Sequence, residues 1–443
     1  MTAARRAFAL AFWIALSLAL LGGSARSDRD PADQLRRFTA RVEFDFVGWT
    51  LGAIGVKLGQ DSLGEVGYLP EAERTELVRR YLELVDRAGR LQGDLARLYA
   101  DPSVADPEAA SVGERTALAD LRQEIEALKP GAEAILQEQA GVVLADGDLT
   151  SLGAPFPPVA FHMSKLPLGL VVSPRSAIRQ DALITLLPDL TIEEQVALEQ
   201  AVESELGLSA LVVQIGGIGT YPTMVEETTA LDWLAEVVVH EWTHNYLTLR
   251  PLGLAYDASP ETRTMNETTA NLIGKVFGRA LIERYYPERT PPAPAEPQAP
   301  AAETESPTEP PGPPAFDFNA EMHATRIEVD RLLAEGSVEE AEAYMEQRRK
   351  RLVEHGYIIR RLNQAYFAFH GAYADTPQGA AGADPVGEAV RELWGRSESP
   401  AAFLRTMAWM NSFDDLVREL SEFRPASPPL SADKPTLGNQ GPP

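Results

Sequence analysis

Apolar residues recur at helical spacing from Glu71 to Tyr99, at Leu77, Tyr81, Leu84, Val85, Ala88, Leu91, Leu95 and Leu98, which predicts one long amphipathic helix. Asp101-Pro102 predicts its end, and a second helix follows over Gly113 to Leu128, closed by Pro130. Upstream, a charged helical stretch leads into the apolar, glycine-spaced run Phe44 to Leu58. Lys57 and the glycines make that run a buried or membrane-proximal helix rather than a span. After residue 150 the texture changes. Val159 to Met163, Leu168 to Ser173 and Leu211 to Ile215 are short β-branched and apolar runs bounded by Pro and Gly, the pattern of strands. Between them Thr191 to Leu206 is helical, with Thr191 and Glu194 spaced as a capping box. A further helix is predicted from about Thr229 to Leu249, and another from Pro260 through Met265 to Gly278. Glu321 to Leu333, Val338 to Ala374 and a stretch near Pro400 to Phe423 complete the helical pattern. The expected class is α+β and mostly helical, with a small mixed sheet.

The ends and one internal segment break this pattern. Arg5 and Arg6 precede an apolar run, Ala7 to Leu21, and then Gly22, Gly23, Ser24 and Ala25. That order fits a secretory signal or an uncleaved signal-anchor, since a full span needs about 20 apolar residues. Either leaves the remainder extracytoplasmic, with membrane association through the N-terminal segment in the anchored case. Residues 287–315 are rich in Pro, Ala, Glu and Thr and cannot bury a core, so they are expected to form a linker. The chain thus divides into a signal or anchor (1–26), an N-terminal helical region (27–150), a core (151–286), the linker (287–315), a C-terminal helical region (316–425) and a tail (426–443).

Composition then narrows the chemistry. The formal charge of −25 excludes a nucleic-acid partner, which requires a basic face. Cysteine is absent, so thiol nucleophiles, disulfides and thiolate metal ligands are excluded together. Any metal must be held by imidazole and carboxylate, a donor set that suits zinc. His240-Glu241-Trp242-Thr243-His244 provides one. Histidines at i and i+4 share a helix face and can reach one ion, while Glu241 points to the same side. The bland alternative is a pair of histidines packed on a helix. A catalytic zinc needs a third protein ligand, and Glu267 near the start of the following helix is the candidate.

These residues carry a resemblance. His240, Glu241 and His244 on one helix, with Asn266-Glu267-Thr268-Thr269-Ala270 on the next, resemble the gluzincin metallopeptidases, which include thermolysin-like enzymes and zinc aminopeptidases. The resemblance covers about residues 205–280. It implies a metal-site helix pair packed on the small sheet and one Zn2+ held by His240, His244 and Glu267. It also implies Glu241 as general base in the hydrolysis of a peptide or protein substrate. Asn266 and Asn271 are candidates to orient the imidazoles; thermolysin-like relatives have an aspartate where Asn271 stands. Such enzymes carry an edge strand upstream of the metal helix, which puts Gly216, Gly217, Ile218, Gly219 and Tyr221 forward as substrate-binding residues. A tight turn is the alternative for that segment. Glu226 and Glu227 are a weaker candidate pair for a substrate ammonium. Asn363, Tyr366, His370 and Tyr373 fall on one helix face, and Tyr373 or His370 is expected to face the metal and stabilise an oxyanion; a packed aromatic stripe is the alternative. Two other functions remain open at this point: a non-catalytic peptidase-like binding protein, and a zinc hydrolase of a non-peptide amide. Oligomeric state is not readable from the sequence.

Overall fold

The computed structural model describes residues 31–63, 68–100, 104, 106–151, 153–215, 217–218, 220–289, 316–371 and 385–422. The signal-like segment, Gly216, Gly219, Tyr373, nearly all of the linker and the tail lie outside these residues.

The chain opens with α1 (Pro31–Thr39), α2 (Phe46–Leu63), α3 (Glu71–Ala100), the single turn α4 (Pro107–Ala110) and α5 (Val112–Asp146). Pro130 does not close α5 as expected; the helix runs through it. A proline inside a helix costs roughly 3 kcal/mol. Beyond Pro130, however, Ala132, Ile135, Leu136, Ala140, Val143 and Leu144 are all buried at helical spacing. Each larger one contributes about 1.5–3 kcal/mol, so burial outweighs the break.

Strands β1 (Phe161–Ser164), β2 (Leu168–Pro174) and β3 (Ala182–Leu186) follow, then α6 (Ile192–Leu206), β4 (Leu208–Gln214), β5 (Gly217–Ile218) and β6 (Thr223–Glu226). They form two small sheets. One is antiparallel, in the order β3-β2-β4; the other is mixed, with β6 parallel to β1 and antiparallel to β5. The apolar runs in β2 and β4 are continuous because the antiparallel sheet is covered on both faces. Leu170, Val172, Ala210 and Val212 pack with Leu35 of α1 and Val202 of α6. Val171, Leu211 and Val213 point the other way, onto Ala365. The capping box of α6 is formed as the sequence predicts, by Thr191 and Glu194.

The second half is helical: α7 (Leu231–Thr248), the turn α8 (Pro251–Leu254), α9 (Pro260–Tyr285), α10 (Phe318–Ala334), α11 (Val338–Glu354), α12 (Gln364–His370), α13 (Pro385–Arg396), α14 (Pro400–Ala408) and α15 (Phe413–Glu422). The continuous helix expected over Val338 to Ala374 is broken after Glu354. Gly356 takes φ of 90°, and Tyr357 N donates back to Leu352 O at 3.1 Å, a left-handed stop that glycine adopts without a Cβ clash. The largest core joins α3, α5, α7 and α9 with the C-terminal helices α13 to α15. The molecule is therefore α+β and mostly helical, with a small mixed sheet beside the pair α7 and α9. Among the described residues no helix is long and apolar enough to cross a membrane.

Candidate metal centre

The site is made by the close approach of α7 and α9. Gly274 and Gly278, one turn apart on α9, lie against the backbone of α7; a Cβ on Gly274 would come within 2.9 Å of Glu236 O, and one on Gly278 within 2.7 Å of Glu236 Cα. Only a side-chain-free surface allows that separation. It brings Glu267, about two turns before Gly274, opposite the two histidines.

His240 Nε2 and His244 Nε2 stand 3.0 Å apart, and Glu267 Oε2 lies 3.6 and 3.5 Å from them. Donors about 2.0–2.1 Å from a tetrahedral ion lie roughly 3.3 Å from one another, so the triad matches a single small cation. Glu267 Oε2 is buried without a hydrogen-bond partner among the described residues. An unsatisfied carboxylate oxygen facing two imidazole nitrogens is costly unless something positive sits between them. The buried group His240, His244 and Glu267 could thus hold a metal ion.

Neighbouring residues fix the ligands. Asn266 Oδ1 meets His244 Nδ1 at 2.8 Å, which turns the other ring nitrogen toward Glu267. The sequence put Asn271 forward beside Asn266 for this work, but Asn271 forms no hydrogen bond with either imidazole among the described residues. Asn266 is buried at the interface itself, whereas Asn271 is only partly buried. Tyr256, which follows the turn α8, donates its hydroxyl to Glu267 Oε1 at 2.5 Å and sets its ring edge-on to His244. The sequence reading missed Tyr256, which belongs to no helical or strand pattern and has no fixed spacing from the motif.

Electrostatics follow the geometry. Burial opposes charge on His244, but the Glu267 carboxylate outweighs it and holds the imidazole up at about 9. Burial likewise opposes charge on Glu267, yet the two histidines pull it well below the usual carboxylate range. Glu241 behaves differently. Its burial, only partly offset by the histidines, raises its pKa. Glu241 also presses against β5: a Cβ on Gly217 would fall 2.5 Å from Glu241 Oε1. Among the described residues β5 pairs only with β6, so Gly217 and Ile218 form an edge beside Glu241.

A cleft of about 250 Å3 opens over these groups, lined by His240, Glu241, His244 and Glu267 and by Gly217, Ile218, Tyr256, Leu183, Ile215, Arg263 and Phe369. Tyr221 is not in it. Its ring is buried and its hydroxyl donates to Pro158 O at 2.9 Å, because the β5–β6 turn folds it inward, away from the edge. His370 also fails to reach the cleft. It packs tilted against Tyr366, 4.3 Å between ring centroids, and burial lowers its pKa to about 4; Phe369, one residue earlier, faces the cleft instead. Asn363 caps α12. Glu227 is engaged by Tyr81 and Lys129, and with Glu226 it lines a different cavity. Gly216, Gly219 and Tyr373 lie outside the described residues. No protein-family model matches the chain, and no curated protein or solved structure matches it.

Proposed function

We propose that the chain is an extracytoplasmic zinc metallopeptidase that hydrolyses peptide bonds with Glu241 as general base. The observation that carries this reading is the convergence of His240, His244 and Glu267 on one point, with the protonation-competent Glu241 beside them and an edge strand alongside. A structural metal site has no physical need for Glu241, and a closed one would not open onto a cleft. Imidazole and carboxylate donors at these separations suit zinc. His240, His244 and Glu267 would hold the zinc, which would supply a lowered pKa for a bound water, toward about 7, and polarisation of a carbonyl. Glu241 accepts a proton from the attacking water and returns it to the leaving amine. An extended peptide lies along the free edge of β5, where Gly217 admits close backbone approach. The signal-like N-terminus, with Arg5 and Arg6 before Ala7 to Leu21, supports export.

Metal analysis of wild type and Glu241→Gln, with a peptide-library cleavage assay on both, tests the reading. One zinc per chain in each, with cleavage by wild type alone, is the expected result. Absence of stoichiometric metal from both proteins would sink it.

A further inference from the structure

Among the described residues Arg263 is the one arginine or lysine that lines the metal cleft, one helical turn before Glu267 on α9. Several partly buried arginines elsewhere in this acidic molecule are matched to carboxylates: Arg175 to Glu342 at 2.6 Å, Arg360 to Glu199 at 2.5 Å and Arg361 to Glu203 at 2.8 Å, whereas Arg250 donates to Tyr246 O and lies over the Tyr246 ring. Arg263 donates to Ala368 O at 2.7 Å, and among the described residues no carboxylate stands within ion-pair distance. That backbone bond ties the guanidinium to α12 and holds it in place, leaving further N–H donors of its fork for a ligand. Arg263 and Gln180 line both the metal cleft and an adjoining cavity of about 300 Å3, so they stand where the two meet. Leu183, Ile215 and Phe369 give the same cleft an apolar part of its lining.

We infer that Arg263 is a specificity residue: the cleft takes substrates with an apolar side chain next to a carboxylate, which the guanidinium grips. This rests on the peptidase reading for the reaction, but the recognition itself is argued from the cleft. A carboxylate suits one planar fork, which it can meet with two parallel hydrogen bonds. A phosphate dianion would suffer more from the neighbouring Glu241 and Glu267. The carboxylate comes from either the C-terminus of a peptide or an acidic side chain.

Binding to zinc-loaded Glu241→Gln protein, followed by calorimetry without turnover, separates these sources. The probes are one apolar hexapeptide as free acid and as C-terminal amide, and two amidated versions with Glu or Gln near the C-terminus. Hydrogen bonds to charged groups predict that at least one carboxylate form binds about 10–100-fold tighter than its neutral twin. Adding Arg263→Gln should bring that ratio to about one, and Arg263→Lys should restore only part of it. An acid-over-amide preference assigns the terminal carboxylate; a Glu-over-Gln preference assigns the side chain. Equal binding of all four probes overturns the inference, whether or not Arg263→Gln folds, and so does a preference that survives in a folded Arg263→Gln protein. Cleavage by wild type without any carboxylate preference leaves the peptidase reading and removes this one. A preference without cleavage does the reverse.

Discussion

Two buried glutamates in this molecule are surrounded by similar groups and do opposite things. Glu133, on α5, is fully buried, and both of its oxygens are taken. Oε2 accepts from Lys57 Nζ at 2.6 Å; Oε1 accepts from Met163 N at 2.8 Å and meets His162 Nδ1 at 2.9 Å. Burial works against its charge, but Lys57 and His162 prevail and hold its pKa down at about 2. Glu267 also sits in the interior beside histidine, yet Oε2 is left without a donor and faces two ring nitrogens. Glu133 brings its own permanent counter-ion, and the cluster closes on itself, tying α2 and β1 to α5. Among the described residues Glu267 has no lysine or arginine partner, and its site opens to a cleft. Completeness of pairing, rather than burial or residue type, separates a structural carboxylate from one that could hold a metal ion.

The largest effect that would break this comparison is on folding. Glu133→Gln removes the negative charge opposite buried Lys57, and breaking a buried pair in this way costs about 3–5 kcal/mol. Urea unfolding should show that loss while metal stoichiometry stays the same. Combining it with Lys57→Met should recover a large part of the stability, since two apolar or neutral groups replace a stranded charge. If the single variant instead lost its metal, the two glutamates would not be separate in function.

Glu267→Gln is expected to act on the other axis. Loss of an outer partner of a metal ligand costs roughly 10–100-fold in affinity, and loss of the ligand itself should exceed that. Competition with a chelator of known affinity measures it directly. Retention of wild-type affinity by Glu267→Gln would remove the third ligand from the site. Asn266→Ala belongs in the lower range, about 10–100-fold, because His244 stays but is no longer turned toward its partners. Asn271→Ala, by contrast, should leave affinity unaltered.

Much of this contrast is legible in the sequence, and the remainder has physical reasons for being hidden. His240, Glu241 and His244 are local, fixed by the i, i+4 geometry of one helix. Glu267 follows because a single turn separates two adjacent helices. Gly274 and Gly278 are visible as letters, but that they set the separation of α7 and α9 becomes evident only from what a Cβ there would strike. Tyr256 reaches the cleft through loop geometry, which no periodicity encodes; Arg263 shares the helix face of Glu267 four residues later, and only its bond to Ala368 O shows where the guanidinium is held. The Tyr366 and His370 stripe shows the converse error. Its helical spacing is real, but Tyr366 and His370 pack against each other, His370 also meets the Phe369 ring, and neither lines the metal cleft. Lys57 looked like a reason against a membrane span; its partner Glu133 lies on another helix, so the pair could not be read locally.

The smallest effect is in pH dependence, where the two sites should pull in opposite directions in the metal-free protein. Glu133 has a depressed folded pKa, so its stabilisation is present above its unfolded value near 4.5 and is lost as pH falls toward about 2. His244 has a raised folded pKa, so its stabilisation is full below its unfolded value near 6.5 and is lost as pH rises through about 9. Urea titrations of metal-free protein should therefore show stability falling on the alkaline side between about pH 7 and 9. Zinc binds the neutral imidazole and so competes with that proton, which makes apparent affinity rise with pH across the same interval. Saturating zinc should then cancel the alkaline decline, while the acid limb set by Glu133 persists wherever metal is still bound. Glu267→Gln, which removes the carboxylate that holds the His244 proton, should abolish the alkaline decline without zinc. A decline unchanged in that variant would mean that the proton responsible is not at the metal centre.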